Sequence, residues 1–149
     1  MDCKCFLTTA RFLRTEGSQE ADFRSAVSRA YYACFLAARA IAFRNCRKDL
    51  RLAAGIYKEG GIKHKPLQQY LKDGLADTVH RLGVDLAGLM GSRLDADYEM
   101  AKRLGQEDAA QSIEDAEAFL AALAAANPQD IGKAVETYIE RTCNKGSGA

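Results

Sequence analysis

Apolar residues recur three and four positions apart along most of the chain, and no stretch alternates apolar and polar as a half-buried strand does. The spacing therefore predicts helices. A first helix over about residues 3–16 places Phe6, Ala10 and Leu13 on one face and stops at Gly17. Ser18 is then placed to cap a long second helix, about 19–47, with Glu20 and Asp22 complementing its positive end. Along it, Phe23, Val27, Ala30, Cys34, Ala37 and Ile41 form an unbroken apolar seam, and its alanines let a neighbouring helix come close. A second stripe, Ser25, Arg29, Tyr32, Leu36 and Arg39, carries hydroxyl and guanidinium groups beside one leucine.

Residues 48–62 break the period with Gly55 and Gly60-Gly61, which reads as a loop with room for one helical turn. A short third helix, about 64–73, starts with Pro66 in its first turn, turns Leu67, Tyr70 and Leu71 inward and stops at Gly74. Asp77 caps a fourth, about 78–103, whose seam is Val79, Leu82, Leu86, Leu89, Arg93, Ala96 and Met100. A fifth, about 106–126, repeats the spacing with Ala109, Ile113, Ala116, Leu120 and Leu123. Asn127-Pro128 opens a sixth, about 128–143, with Ile131, Val135, Tyr138 and Ile139 on one side; residues 145–149 read as a loose tail. The expected fold is all-α: a bundle of four to five core helices over 1–126, followed by a C-terminal helix and tail over 127–149.

Composition fits that picture. The 149 residues are 48% hydrophobic and 28% charged, a globular profile for one domain. No apolar run approaches the roughly 20 residues of a membrane span, and the opening Met1-Asp2-Cys3-Lys4-Cys5 does not resemble a signal peptide. A cytoplasmic protein without membrane contact is expected. Five cysteines at no framework spacing point to free thiols, with Cys34 buried. Cys3-x-Cys5 and two histidines are too few for a metal site, and no phosphate-binding loop, dinucleotide turn or HExxH motif is present, so neither metal nor cofactor is expected.

Charge changes the picture more. Residues 1–65 hold 13 Lys and Arg against 6 Asp and Glu, net +7, whereas 66–149 hold 8 against 14, net −6. Within 39–65, Arg39, Arg44, Arg47, Lys48, Arg51, Lys58, Lys63 and Lys65 face only Asp49 and Glu59. Such a stretch either attracts phosphates or an acidic partner, or sets cations at helix ends against the dipole.

Arg93 is the one charge on an otherwise apolar seam, which costs free energy unless it is paired or reaches water. Asp97, one turn on, offers a structural pair. The other reading places Arg93 in a cleft or subunit interface, with Tyr98 at one groove edge and Arg29 and Tyr32 facing the same groove from the second helix. His64 and His80 lie in no triad-like arrangement.

The run from Phe23 to Ala40, with Ser28-Arg29-Ala30-Tyr31-Tyr32-Ala33 at its centre, resembles the second-helix signature of HEPN domains (higher eukaryote and prokaryote nucleotide-binding). Arg93-Leu-Asp-Ala96-Asp97-Tyr98 is similar to the R-x-x-A-D-Y segment of a prokaryotic subgroup. Lys63-His64-Lys65-Pro66 falls where relatives begin their third helix, and Ala116–Leu120 looks like the last core helix. The resemblance spans about residues 6–124.

The resemblance implies an up-and-down helical bundle that forms a homodimer, in many cases encoded beside a minimal nucleotidyltransferase that acts as antitoxin to a HEPN ribonuclease toxin. Catalytic members carry an arginine, then four to six residues, then a histidine. They cleave RNA without metal, the 2′-hydroxyl attacking the adjacent phosphate. Arg93 matches the motif arginine, but Tyr98 stands where the histidine is expected, and no histidine follows it. An unperturbed tyrosine titrates near 10, a poor proton shuttle at neutral pH. The expectation is a non-catalytic homodimeric module that contacts RNA or nucleotide and works with such a transferase. The alternatives are a ribonuclease with an altered Arg93–Tyr98 site and a purely structural or regulatory homodimer.

Overall fold

The computed structural model describes residues 2–146. In chain order it contains α1 (Lys4–Glu16), α2 (Glu20–Asn45), α3 (Lys48–Ala53), α4 (His64–Lys72), α5 (Asp77–Tyr98), α6 (Gln106–Ala125) and α7 (Pro128–Gly146), with one 3-10 turn at Glu59–Gly61 before α4. No strand occurs among the described residues, so the chain forms the all-α helical bundle that its apolar spacing predicts. No helix among them is long and apolar enough to cross a membrane.

The departures from expectation sit at helix ends, where non-local partners decide. Helix α5 stops at Tyr98, five residues short of the expected end, and Met100 is exposed instead of lying on the seam. Its last turn is closed by Arg24 of α2. The Arg24 guanidinium donates to the carbonyls of Asp95 at 3.2 Å, Ala96 at 2.9 Å, Glu99 at 3.2 Å and Lys102. The Asp95 and Glu99 carbonyls also accept the N–H groups of Glu99 and Lys102, so Arg24 adds a second donor there and supplies the Ala96 carbonyl at the end of the helix. At the start of α2, Ser18 is not the cap. The Gln19 carbonyl accepts from the Asp22 and Phe23 N–H groups, and the Asp22 carboxylate reaches back to the N–H of Ser18 and Gln19, at 2.9 and 3.0 Å. Asp77 is the first residue of α5 rather than its cap, and the Ala76 carbonyl accepts the first two bonds. Asn127 does cap α7, its Oδ1 taking the Gln129 N–H at 3.0 Å.

Helix α3 lies in the stretch expected as a loop. It has only six residues and buries none of them, so it leaves no apolar period to read. In α6, Phe119 is the buried residue where Leu120 was expected. Helix α7 continues to Gly146, into the expected tail; the rest of that tail lies outside the described residues.

The chain divides into two compact units. The first takes in the chain up to Ala37 together with Asp85–Ala121, and the second takes in Ala38–Val84 and the chain from Ala122 on. The first unit's core includes a cluster of Ala26, Val27, Ala96, Leu104 and Ala109, against which Leu13 and Phe23 pack. Small side chains on α2 let these helices come close, as the alanine seam suggests. In the second unit α7 packs on α3 and α4 and buries Ile131, Ala134, Val135 and Ile139. Gly132 is required there, because a Cβ would run into the carbonyl of Asn45 at the end of α2.

Candidate functional site

In the first unit, α2 and α5 bring together four of the five residues expected in one groove. Arg93 is only 14% exposed. Its Nη2 donates to the Tyr32 hydroxyl at 3.2 Å, and its guanidinium carbon lies 5.4 Å from the Tyr32 ring centroid and 5.8 Å from that of Tyr98. The Nε stands 2.7 Å from Asp97 Oδ2, one turn along α5. That N–H is not aimed at the oxygen and is buried without a hydrogen-bond acceptor, so the contact is a Coulombic ion pair. Two aromatic rings, one hydroxyl and one carboxylate thus surround the charge, which is how a cation on an apolar seam becomes tolerable.

Arg29 belongs to this group only at one remove. It is exposed, and its guanidinium lies over the Phe6 ring at 5.6 Å; Phe6 in turn is 6.1 Å from Tyr32. Phe6 reads as a core residue of α1 in the sequence, yet it is half-buried and bridges the two side chains. Cys5, Phe6, Thr9 and Arg29 line a shallow depression on that face. Tyr98 is 70% exposed.

The group contains no histidine. Both histidines belong to the second unit, and the Nδ1 of His80 is held 2.6 Å from the Lys72 carbonyl. Three further cations of the first unit are engaged: Arg11 with Glu117 at 2.9 Å, Arg24 with Glu20 at 2.8 Å, Lys102 with Asp95 at 2.7 Å. Arg24 and the Leu104 N–H together hold the Glu20 carboxyl below its ordinary range. Arg24 is the functional-looking arginine that the sequence did not single out; only its spacing of four from Glu20 could have marked it.

All eight basic residues of 39–65 fall in the second unit, and they divide between the two readings of that stretch. Arg44 donates to the Ala40 carbonyl at 3.1 Å and so serves the end of α2. Arg39 approaches Glu59 at 3.7 Å. Arg47 pairs with Asp49 at 2.7 Å, which draws the aspartate down and the arginine up. Arg51 donates to the Ile56 carbonyl at 3.3 Å, and Lys63 to that of Gly60 at 3.0 Å. Lys48 and Lys65 are exposed, with no ion pair among the described residues. Cation excess remains after these partners are counted: the second unit holds 13 Lys and Arg against 7 Asp and Glu, net +6, and the first 8 against 13, net −5.

Cys34 is fully buried, its Sγ 3.6 Å from the Ala116 carbonyl, and burial pushes its thiol up to about 12. Burial likewise pushes Cys46 up to about 11. Neither is a nucleophile at neutral pH. Among the described residues, no three His, Cys, Asp or Glu side chains converge as a metal site would require.

No curated protein and no solved structure gives a significant match to the chain. A family model described as HEPN domain matches residues 4–126, which covers α1 through α6, including the Tyr32 and Arg93 segments. The chain belongs to the HEPN domain family.

Proposed function

We propose that the chain is a non-catalytic HEPN-type binding module, active as a homodimer, that contacts RNA or nucleotide and acts with a minimal nucleotidyltransferase in a toxin–antitoxin-like pair. HEPN membership points to an RNA-binding or nuclease-like module, and HEPN domains commonly dimerise. The observation that carries the non-catalytic reading is the state of Arg93. Its guanidinium is engaged by Tyr32 and Asp97 of its own unit, with a phenol in place of the motif imidazole. Cleavage by a 2′-hydroxyl needs a group that moves protons near neutral pH as well as a cation on the phosphate. Here the cation is largely spent on structure, and the proton shuttle is missing. Phosphate attraction falls instead to the second unit and its +6 balance.

Two measurements test this. Sedimentation at micromolar concentration should give about twice the 16.3 kDa chain mass, and a clean monomer would remove the dimer. Incubation of labelled RNA with the purified protein, without metal, should return intact RNA that binds with a steep salt dependence. One observation favours a second reading, an altered ribonuclease: the Tyr98 ring is exposed and lies beside Arg93, at the place of the motif histidine. Cleavage lost in both Arg93→Ala and Tyr98→Phe would establish that reading instead.

A further inference from the structure

Between α3 and the 3-10 turn, two adjacent side chains take opposite environments. Gly55 adopts a φ of +78°, a conformation that side chains other than glycine rarely take. The turn sends the Ile56 N–H back to the Arg51 carbonyl at 2.8 Å and buries the Ile56 side chain. Tyr57, the next residue, is 74% exposed and makes no hydrogen bond, ion pair or ring contact among the described residues. An anchored loop thus holds an aromatic ring out in water, with no packing role to account for it.

A cation that holds the residue before Tyr57 is itself fixed in place. Arg51 lies 4.0 Å from the Phe43 ring centroid and donates through Nη1 to the carbonyl of Ile56. A ring on one face and a carbonyl at one edge remove most of the freedom that an arginine would lose on binding. Arg47, Lys48, Lys58 and Lys63 are exposed on the same short segment, where acids number only two. A flat exposed ring on a loop anchored by a guanidinium, in a segment with a strong excess of cations, suits an unpaired base between two phosphates. A duplex keeps its bases stacked on each other and offers none to such a ring.

We propose that Tyr57 is a stacking platform for a base of single-stranded RNA, with the loop anchored by Arg51 and with Arg47, Lys48 and Lys58 supplying charge to the flanking phosphates. The proposal rests on the RNA-binding reading above and adds to it the place and the strand form. It separates from that reading because stacking and phosphate attraction respond differently to salt. Removing a stacking ring lowers affinity at every salt concentration, whereas removing phosphate contacts makes the salt dependence shallower.

The test uses the full chain and a fluorescently labelled oligouridine of about twelve nucleotides, titrated by anisotropy from about 50 mM salt upward. Tyr57→Ala should bind about tenfold more weakly with an unchanged salt slope, and Tyr57→Phe should bind like the parent. The double change Arg47→Ala, Lys48→Ala should bind more weakly with a shallower slope. A blunt duplex of the same length should bind less well and be indifferent to Tyr57→Ala. Matching circular dichroism melts will show that the loop variants fold, as the exposure of Tyr57 leads one to expect. If Tyr57→Ala binds like the parent while the Arg47, Lys48 change weakens binding, the platform is wrong and the RNA reading stands. Equal losses in Tyr57→Phe and Tyr57→Ala would also overturn stacking, since they would assign the effect to the hydroxyl. Should the parent protein bind no RNA at low salt, both readings fall.

Discussion

In the unit around Arg93, four Lys and Arg side chains end on groups of the same unit. Arg24 gathers four carbonyls and Glu20, Arg93 meets Asp97 and Tyr32, Arg11 meets Glu117 and Lys102 meets Asp95. In the unit around Arg51, several cations also find partners, but acids number 7 against 13 bases. The first unit commits half of its cations to its own carboxylates and carbonyls and holds more acids than bases, while the second holds six more bases than acids. On the proposed reading, a family-level motif arginine is a poor guide to where this chain meets an anion. The matched residue is built into the structure, and the surplus lies in the other unit.

The largest expected effect breaks the structural side of this comparison. Arg24→Ala removes the closure of α5, takes the side-chain donor from the Ala96 carbonyl and leaves Glu20 without its ion-pair partner. It should destabilise by about 3 kcal/mol or more in urea unfolding. Gly132→Ala tests packing in the second unit: its Cβ meets the Asn45 backbone, so a loss of about 2–3 kcal/mol is expected. Arg93→Ala should cost about 2 kcal/mol, because it strands the Asp97 carboxylate, which is itself 27% exposed. Pairing it with Asp97→Ala should recover part of that loss. If Arg93→Ala were neutral for stability, Arg93 would belong to the same class as the surplus cations, and the contrast would fail.

Smaller effects sharpen the contrast. Arg47→Ala with Lys48→Ala should leave the unfolding midpoint in place while weakening RNA binding, the reverse of the Arg93→Ala pattern. Glu20 gives a pH signature. Its carboxyl is held below the ordinary 4.5 by Arg24, so the stability it contributes is present above that value and is lost as pH falls through the lower folded value. Glu20→Gln should flatten the acid limb of stability against pH and leave the neutral region unchanged in shape.

Much of this was legible in the sequence, and what was not has a physical reason. The Arg93–Asp97 pair follows from a spacing of four on one helix, and the approach of Tyr32 follows from its place on the polar stripe of α2. Local period carries both. The end of α5 at Tyr98 was hidden because Arg24, more than seventy residues away in the chain, closes it. Phe6 has helical core spacing, yet bridges Arg29 and Tyr32, since the period gives a face and not the neighbour across it. Helix α3 and the Tyr57 loop were illegible for a different reason. A six-residue helix with no buried side chain has no apolar signature, and an exposed tyrosine looks like any other until its neighbour is seen anchored.

One experiment addresses the central claim, that the module binds RNA without cutting it and uses Arg93 for structure. Labelled single-stranded RNA is incubated with excess parent protein and with Arg93→Ala, in chelator and low salt, then split between an anisotropy reading and a denaturing gel. The account predicts bound, full-length RNA in both samples, with the affinity of the folded Arg93→Ala protein close to that of the parent. Fragments in the parent sample that vanish with a folded Arg93→Ala variant would contradict it and make Arg93 a catalytic residue.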